Sequence, residues 1–286
     1  MQQNMGLPQK IIVMEPSSNI RAMGRTALRG KWPQAILATI ISLLMFQVPT
    51  IVVNQLFGKE QVFEFAKVMK DAGFEKYVTD EIANMSYKIL YSPISQVYVM
   101  LVSGALAFGL TLFFVNLFRS GSQSTGDLVK GFGYYVRTTG LFLYMLLFMI
   151  FWSIIPIAGL ILAPIAAIRY SQSFYVAIDH PEYPITLCVA ESKVLMMGNK
   201  GKYFCLQLSF IGWILLAGLA GSIVTGAATY MMASGDEIPY LTTQILSLIS
   251  SVIACPVAAY MMSTDVAFYE ILTGKIQAET YIPGQY

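Results

Sequence analysis

The sequence predicts an all-α, polytopic membrane helix bundle. Two properties lead there. Of 286 residues, 56% are hydrophobic and only 12% are charged, with a mean hydropathy of +0.61. The apolar residues also gather in long uncharged runs, one of which extends from Leu141 to Ile168. The charge share is about half that of a soluble domain, too small to coat a soluble surface. An aromatic content of 13% excludes a solvated coil. A net charge of +2 without a basic tail excludes nucleic acid as a partner, because that binding needs many phosphate-neutralising groups.

The elements follow in order. Arg21, Arg25, Arg29 and Lys31 precede the first apolar run. That run is too long for a signal h-region and no A-x-A-like site follows it, so it should remain as an anchor. A bilayer core of about 30 Å needs roughly 20 apolar helical residues. Residues 35–57, 94–118, 204–232 and 241–268 meet that requirement. The stretch from 139 to 178 is either one long tilted helix or a hairpin, with spans 139–156 and 159–178 turning at Pro156–Gly159. Proline breaks the helix ladder there and glycine supports the turn.

Positive charge decides between them. With the hairpin and a cytoplasmic N-terminus, 12 of the 18 basic residues lie inside and five outside, with Arg169 in a span. With one helix the count becomes eight inside and ten outside. The expectation is therefore one integral membrane domain over residues 1–286, with six transmembrane helices and both termini cytoplasmic. Residues 58–91 form the long external loop. Val62, Phe65, Ala66, Met69 and Tyr77 follow helical spacing in it, which predicts a solvated helix over the outer face.

A threefold similarity recurs on the inner side. Ala27-Leu28-Arg29-Gly30-Lys31-Trp32, Asp127-Leu128-Val129-Lys130-Gly131-Phe132 and Val194-Leu195-Met196-Met197-Gly198-Asn199-Lys200 each precede an odd-numbered span. Each predicts a short cytoplasmic interfacial helix, near 19–31, 125–137 and 186–202, that bends at glycine into the membrane. Ser124 and Asp127 fit a capping pattern for the second.

Several of these residues also carry a resemblance. Arg25-x2-Leu28-x-Gly30-x-Trp32, Tyr170-Ser171, Tyr175, Asp179-His180-Pro181, Glu191-Ser192, Met197-Gly198, Lys200, Lys202 and Phe204 lead into Ser209-Phe210-Ile211-Gly212-Trp213. Ala267-x-Tyr269 follows near the end. Over residues 19–272 the chain resembles the bacterial multi-pass membrane family called domain of unknown function 975. The Ser-Phe-Ile-Gly-Trp stretch is the most specific part. Asp179-His180-Pro181 departs from the Asp-Asn-Pro more usual in that family. The resemblance implies an integral membrane protein of a bacterial cell and implies no activity.

Ionisable groups inside spans are costly and mark functional positions by default. Arg169 and Asp265 are the candidate intramembrane pair, as a bundle clasp or as part of a solute path. Gln47, Asn54, Asn116 and Gln207 are expected to bond between helices. Small residues in spans two and five predict close helix packing. The candidate inner-interface positions are Arg25, Gly30, Trp32, Asp179, Gly198, Lys200, Lys202 and Trp213. No H-E-x-x-H, G-x-S-x-G or P-loop pattern occurs. A single histidine and three scattered cysteines build no metal set. The expectation is thus no catalytic residues, no metal and no cofactor. The function expected is a non-enzymatic scaffold, assembly factor or regulator in the bacterial cell membrane. Its partners would be membrane lipids and other membrane proteins. The alternative is a small-solute transporter or permease subunit using Arg169 and Asp265.

Overall fold

The computed structural model describes residues 11–71, 73, 76, 86–153, 158–233, 239–278 and 280–281. β1 (Ile12–Val13) and α1 (Ser17–Leu28) precede α2 (Trp32–Phe57). β2 (Lys59–Glu64), α3 (Phe65–Asp71) and β3 (Ser86–Tyr91) lead to α4 (Pro93–Arg119). Then come α5 (Asp127–Gly133), α6 (Tyr135–Ser153), α7 (Ala158–Tyr170), α8 (Ser173–Asp179) and α9 (Ile185–Leu195). α10 (Lys200–Leu208), α11 (Ile211–Ala233), α12 (Tyr240–Leu272) and β4 (Thr280–Tyr281) complete the order. The fold is all-α apart from two antiparallel ribbons, β1 with β4 and β2 with β3.

Among the described residues, four helices are long and apolar enough to cross a membrane: α2, α4, α6 and α12. A fifth path exists if α10 and α11, which meet at a bend of 42°, are one crossing. The expected span 159–178 is not a single helix. α7 stops at Tyr170 and α8 starts at Ser173. The 13 residues of α7 reach only about 20 Å. The cause lies on α9. The fully buried Ser192 hydroxyl donates to the Arg169 carbonyl at 2.8 Å and accepts the Gln172 N–H at 3.2 Å. It takes two backbone groups that a continuing helix would pair within its own ladder, the Arg169 carbonyl with the turn ahead and the Gln172 N–H with the turn behind.

α6 and α7 double back on each other. The Phe148 and Tyr170 rings lie 6.2 Å apart, whereas an unbroken helix would separate them by about 33 Å. Pro156 lies outside the described residues, while Gly159 sits buried in the first turn of α7.

Pro49 lies inside α2 and leaves the Met45 carbonyl without its helical donor. Tyr98 of α4 supplies a replacement, its hydroxyl donating to that carbonyl at 2.6 Å. The loop after α2 differs from the expected surface helix. β2 and β3 pair in register from Lys59↔Tyr91 to Glu64↔Ser86, and α3 has only seven residues. Tyr87, Ile89 and Tyr91 alternate along β3, a pattern suited to a pleated ribbon. Val62 thus belongs to a strand, and Tyr77 lies outside the described residues. Asn54 Oδ1 accepts the Ser92 N–H at 3.1 Å and the Tyr240 hydroxyl donates to the Leu90 carbonyl at 3.2 Å, fixing the ribbon to three long helices.

The best-packed region lies at the opposite end. α12 has 33 residues, about 50 Å of helix against a bilayer core of about 30 Å. Its final turns are buried on every side: Val266, Ala267, Phe268 and Ile271 are all fully enclosed. α1 forms part of that cover. Ile20, Gly24 and Leu28 recur every four residues and face inward. Gly24 lies against Thr264, and its carbonyl accepts the Ser263 hydroxyl at 3.0 Å.

All three stretches expected to be short helices are helical, at α1, α5 and α9. The expected bend at glycine holds for two. Gly30 and Gly198 have φ of +76° and +90°, which glycine adopts without a Cβ clash. Gly131 instead lies within α5, where a side chain would strike the Ala105 carbonyl of α4. The small-residue seam of span two is real, because Gly104 and Gly109 of α4 abut α6 and α5. In span five Gly221 meets Ser250 of α12, whereas Gly212, Gly218 and Gly226 face open space.

Replacing Gly24 with leucine should lower the stability of the detergent-solubilised protein by about 1–3 kcal/mol, the usual penalty for overpacking. Serine at the same position should cost less. Thermal unfolding followed by circular dichroism checks both.

Candidate functional site

Three charged residues end three helices at one point. Arg119 closes α4, Asp179 closes α8 and Glu270 lies one turn from the end of α12. The Arg119 guanidinium donates from Nη1 to Asp179 Oδ1 at 2.6 Å and from Nη2 to Oδ2 at 3.0 Å, the planar fork that suits a carboxylate. Its Nε donates to Glu270 Oε1 at 2.7 Å. The Tyr269 hydroxyl and the Lys275 ammonium donate to Asp179 Oδ2 at 2.8 and 2.5 Å. Tyr269 stacks on Tyr175 of α8, with centroids 5.1 Å apart. Burial pushes the Asp179 carboxyl up, but Arg119, Lys275 and Tyr269 together hold it below the usual carboxylate range. Asp179 thus accepts one bond at Oδ1 and three at Oδ2, which ties the end of α8 to α4, to α12 and to the segment after α12.

The expected Arg169–Asp265 pair does not form. Asp265 accepts from Gln207 Nε2 at 2.6 Å. Arg169 has no ion pair among the described residues; it occupies the last turn of α7, where a cation suits the helix dipole. The amides behave as expected of bonds between elements: Gln47 donates to Ser251 at 3.2 Å, Asn116 to Asp127 at 2.9 Å, and Asn54 and Gln207 as above. Asp127 also accepts the Ser124 N–H at 3.2 Å, one half of the expected capping exchange.

The eight inner-interface candidates separate into three places. Asp179 belongs to the Arg119 fork. Gly198, Lys200 and Lys202 surround the N-terminal strand. There the fully buried Asn199 accepts the Val13 N–H at 2.9 Å and donates to the Ile11 and Leu195 carbonyls at 2.7 and 2.8 Å. Lys202 Nζ reaches the Met14 carbonyl at 3.4 Å. Arg25, Gly30, Trp32 and Trp213 line two clefts that share Arg25 and Trp32. The smaller, about 290 Å³, also carries Arg29 and Thr26. The larger, about 500 Å³, runs between α11 and α12 past Leu216, Ala220, Ile253 and Val257. Arg25 and Arg29 are exposed and make no hydrogen bond or ion pair through their side chains among the described residues.

The motif Ser209-Phe210-Ile211-Gly212-Trp213 has a clear structural part. It forms the bend between α10 and α11. Arg21 of α1 donates to the Ser209 carbonyl at 3.0 Å and lies 5.9 Å over the Phe210 ring. Phe210 is fully enclosed and meets Tyr260 of α12 edge-on at 4.9 Å. Trp213, one turn on, opens onto the larger cleft.

Residues 141–275 match the family profile described as Protein of unknown function (DUF975). This is the family the sequence resembles, and the match covers 135 of the 286 residues. The DUF975 stretch contains the Asp179 and Glu270 ends of the fork, the Ser192 bridge, Asn199, Asp265 and the bend. Arg21, Arg25, Trp32 and Arg119 lie before it. No curated protein and no solved structure matches the chain.

Sequence reasoning gave no role to Arg119, Glu270 or Lys275, nor to Ser192 and Asn199, which it met only as members of the resemblance and repeat motifs. A usable signal existed for three of them, since Arg119, Glu270 and Lys275 are charges placed where long apolar runs stop. Ser192 and Asn199 carry no such mark.

Asp179→Asn should destabilise the protein by about 2 kcal/mol, because it leaves Arg119 half-unpaired in a mostly buried place. Arg119→Gln, which leaves two carboxylates facing each other, should do no better, and the double variant should be less impaired than the sum. Since the folded Asp179 titrates below its unfolded value of about 3.9, its contribution is complete above that pH and fades as pH falls further. Thermal unfolding between pH 3 and 7 checks this, with the acid-side loss flatter in Asp179→Asn.

Proposed function

We propose that this protein is a non-enzymatic component of the bacterial cell membrane, a scaffold, assembly factor or regulator. It engages lipids or partner proteins at its cytoplasmic face. The reading rests on how α1 is mounted. Its apolar stripe is spent on α12, while Arg25 and Arg29 remain outward, uncommitted to any acid among the described residues and adjoining an apolar cleft. A cation beside such a cleft at the end of a span suits a headgroup or a partner's acidic juxtamembrane segment. The Arg119 fork and the Asp265–Gln207 bond serve packing, which is what a scaffold requires of its buried polar groups. The solute-path alternative keeps Arg169 and Asp265 as separate groups, and solute uptake tests it.

In this reading the chain crosses six times, with α7 and α8 together making the fourth passage and both termini cytoplasmic. Twelve of the basic residues then lie inside. α1, α5 and α9 lie at the inner interface.

Reporter fusions should read external at residues 75 and 157 and internal at residue 190. An external signal at 190 overturns the orientation. Purification in mild detergent should return a defined lipid or protein partner whose yield falls when Arg25 and Arg29 are neutralised. Solute uptake by protein-containing vesicles that is absent from empty ones would sink the scaffold reading.

A further inference from the structure

We infer that the joined clefts at Arg25 and Trp32 form a binding site for one anionic phospholipid, phosphate on the arginines and one acyl chain between α11 and α12. This rests on the lipid-engaging reading above and names its ligand.

Two neighbouring cavities have opposite character and a shared boundary. The smaller is bounded by Arg25, Thr26, Arg29 and the Gly30 corner, all exposed. Arg25 stands in the last turn of α1 and Arg29 is its C-cap, and both line this one cleft. Planar guanidinium groups match phosphate oxygens in pairs, and these two have no protein acid among the described residues to satisfy them. Gly30, with φ of +76°, turns the chain into α2 and sets Trp32 beside the opening.

The larger cavity begins where the smaller ends. Beyond Arg25, its wall is apolar except for Tyr260, whose hydroxyl is already committed to the Arg21 carbonyl at 3.3 Å. Trp32 and Trp213 stand at the same end, where indoles favour the interface between headgroup and hydrocarbon. From Trp213 to Ala220 on α11, and from Tyr260 to Ile253 on α12, the slot runs about 10 Å along the helices. It is lined by small residues, Ala217 and Ala220, and by Pro256. A slot of about 500 Å³, with cations at one end only, fits an anionic amphiphile aligned with the surrounding lipids. A free anion would leave the slot unfilled, and a neutral lipid would leave the arginines unpaired.

The purified protein in mild detergent provides the test. Bound lipid is read by native mass spectrometry, and protection by the shift in thermal midpoint, on adding phosphatidylglycerol, phosphatidylcholine or inorganic phosphate. Phosphatidylglycerol should bind in single stoichiometry and raise the midpoint, with phosphatidylcholine and phosphate giving little. Arg25→Gln with Arg29→Gln should weaken phosphatidylglycerol binding about tenfold or more, and lysine at both positions should restore much of it. Ala220→Phe, which fills the slot and leaves the arginines intact, should reduce binding while the midpoint without lipid stays near the parent's. Equal protection by phosphatidylcholine overturns the headgroup assignment, and equal protection by phosphate overturns the acyl slot. Undiminished binding in Ala220→Phe or in the double glutamine variant overturns the site. If the glutamine variant fails to fold, the lipid comparison and Ala220→Phe still decide. A protein partner recovered without any bound phospholipid would leave the scaffold reading standing and remove this one.

Discussion

The arginine at the end of α4 holds the arrangement together. Arg119 faces two carboxylates that belong to different helices, and its donors reach both. A guanidinium with one acid would fix a pair of helices. With two it fixes three, Tyr269 adds a second bond from α12, and Lys275 extends the grip to the chain beyond it. Helix C-termini carry partial negative charge, so three converging ends need a cation between them. Arg119 supplies it, and the packed region around the end of α12 is organised about that point.

The same end of the molecule shows how a long helix is kept covered. α12 outruns a bilayer, so its last turns must be enclosed by protein. α1, α8 and α10 contribute that cover, through Gly24 against Ser263 and Thr264, Tyr175 on Tyr269, and Gln207 on Asp265. Ser192 ends α7, Arg21 supports the bend before α11, and Asn199 holds the strand preceding α1. Breaks in helices are thus placed where a side chain from another element is ready to meet the freed backbone groups. Pro49 and Tyr98 repeat the arrangement nearer the other end.

The sequence showed the long apolar helices well, because about 20 residues without charge have few other uses. It showed the doubling back of α6 and α7, and two glycine corners, for equally local reasons. Of its eight inner-interface candidates, Arg25, Gly30, Trp32 and Trp213 line the two clefts, which the sequence did not foretell. It did not show the division of the passage at Tyr170–Ser173. That break depends on Ser192, some twenty residues away along the chain and adjacent only in space. It mispaired Arg169 with Asp265 because estimated depth in a span says nothing about which helix faces which. The ribbon after α2 was missed because Phe65 and Met69 keep a helical spacing across the boundary between β2 and α3.

The docking of α1 has a consequence for synthesis. Its partners on α12, Thr264 and Ser263, leave the ribosome 239 residues or so after it. Contacts so far apart close late. Until the final passage is inserted, the face of α1 that carries Gly24 has no α12 to pack on. A chain that stops short of the last passage therefore lacks the surface on which the apolar stripe of α1 is buried.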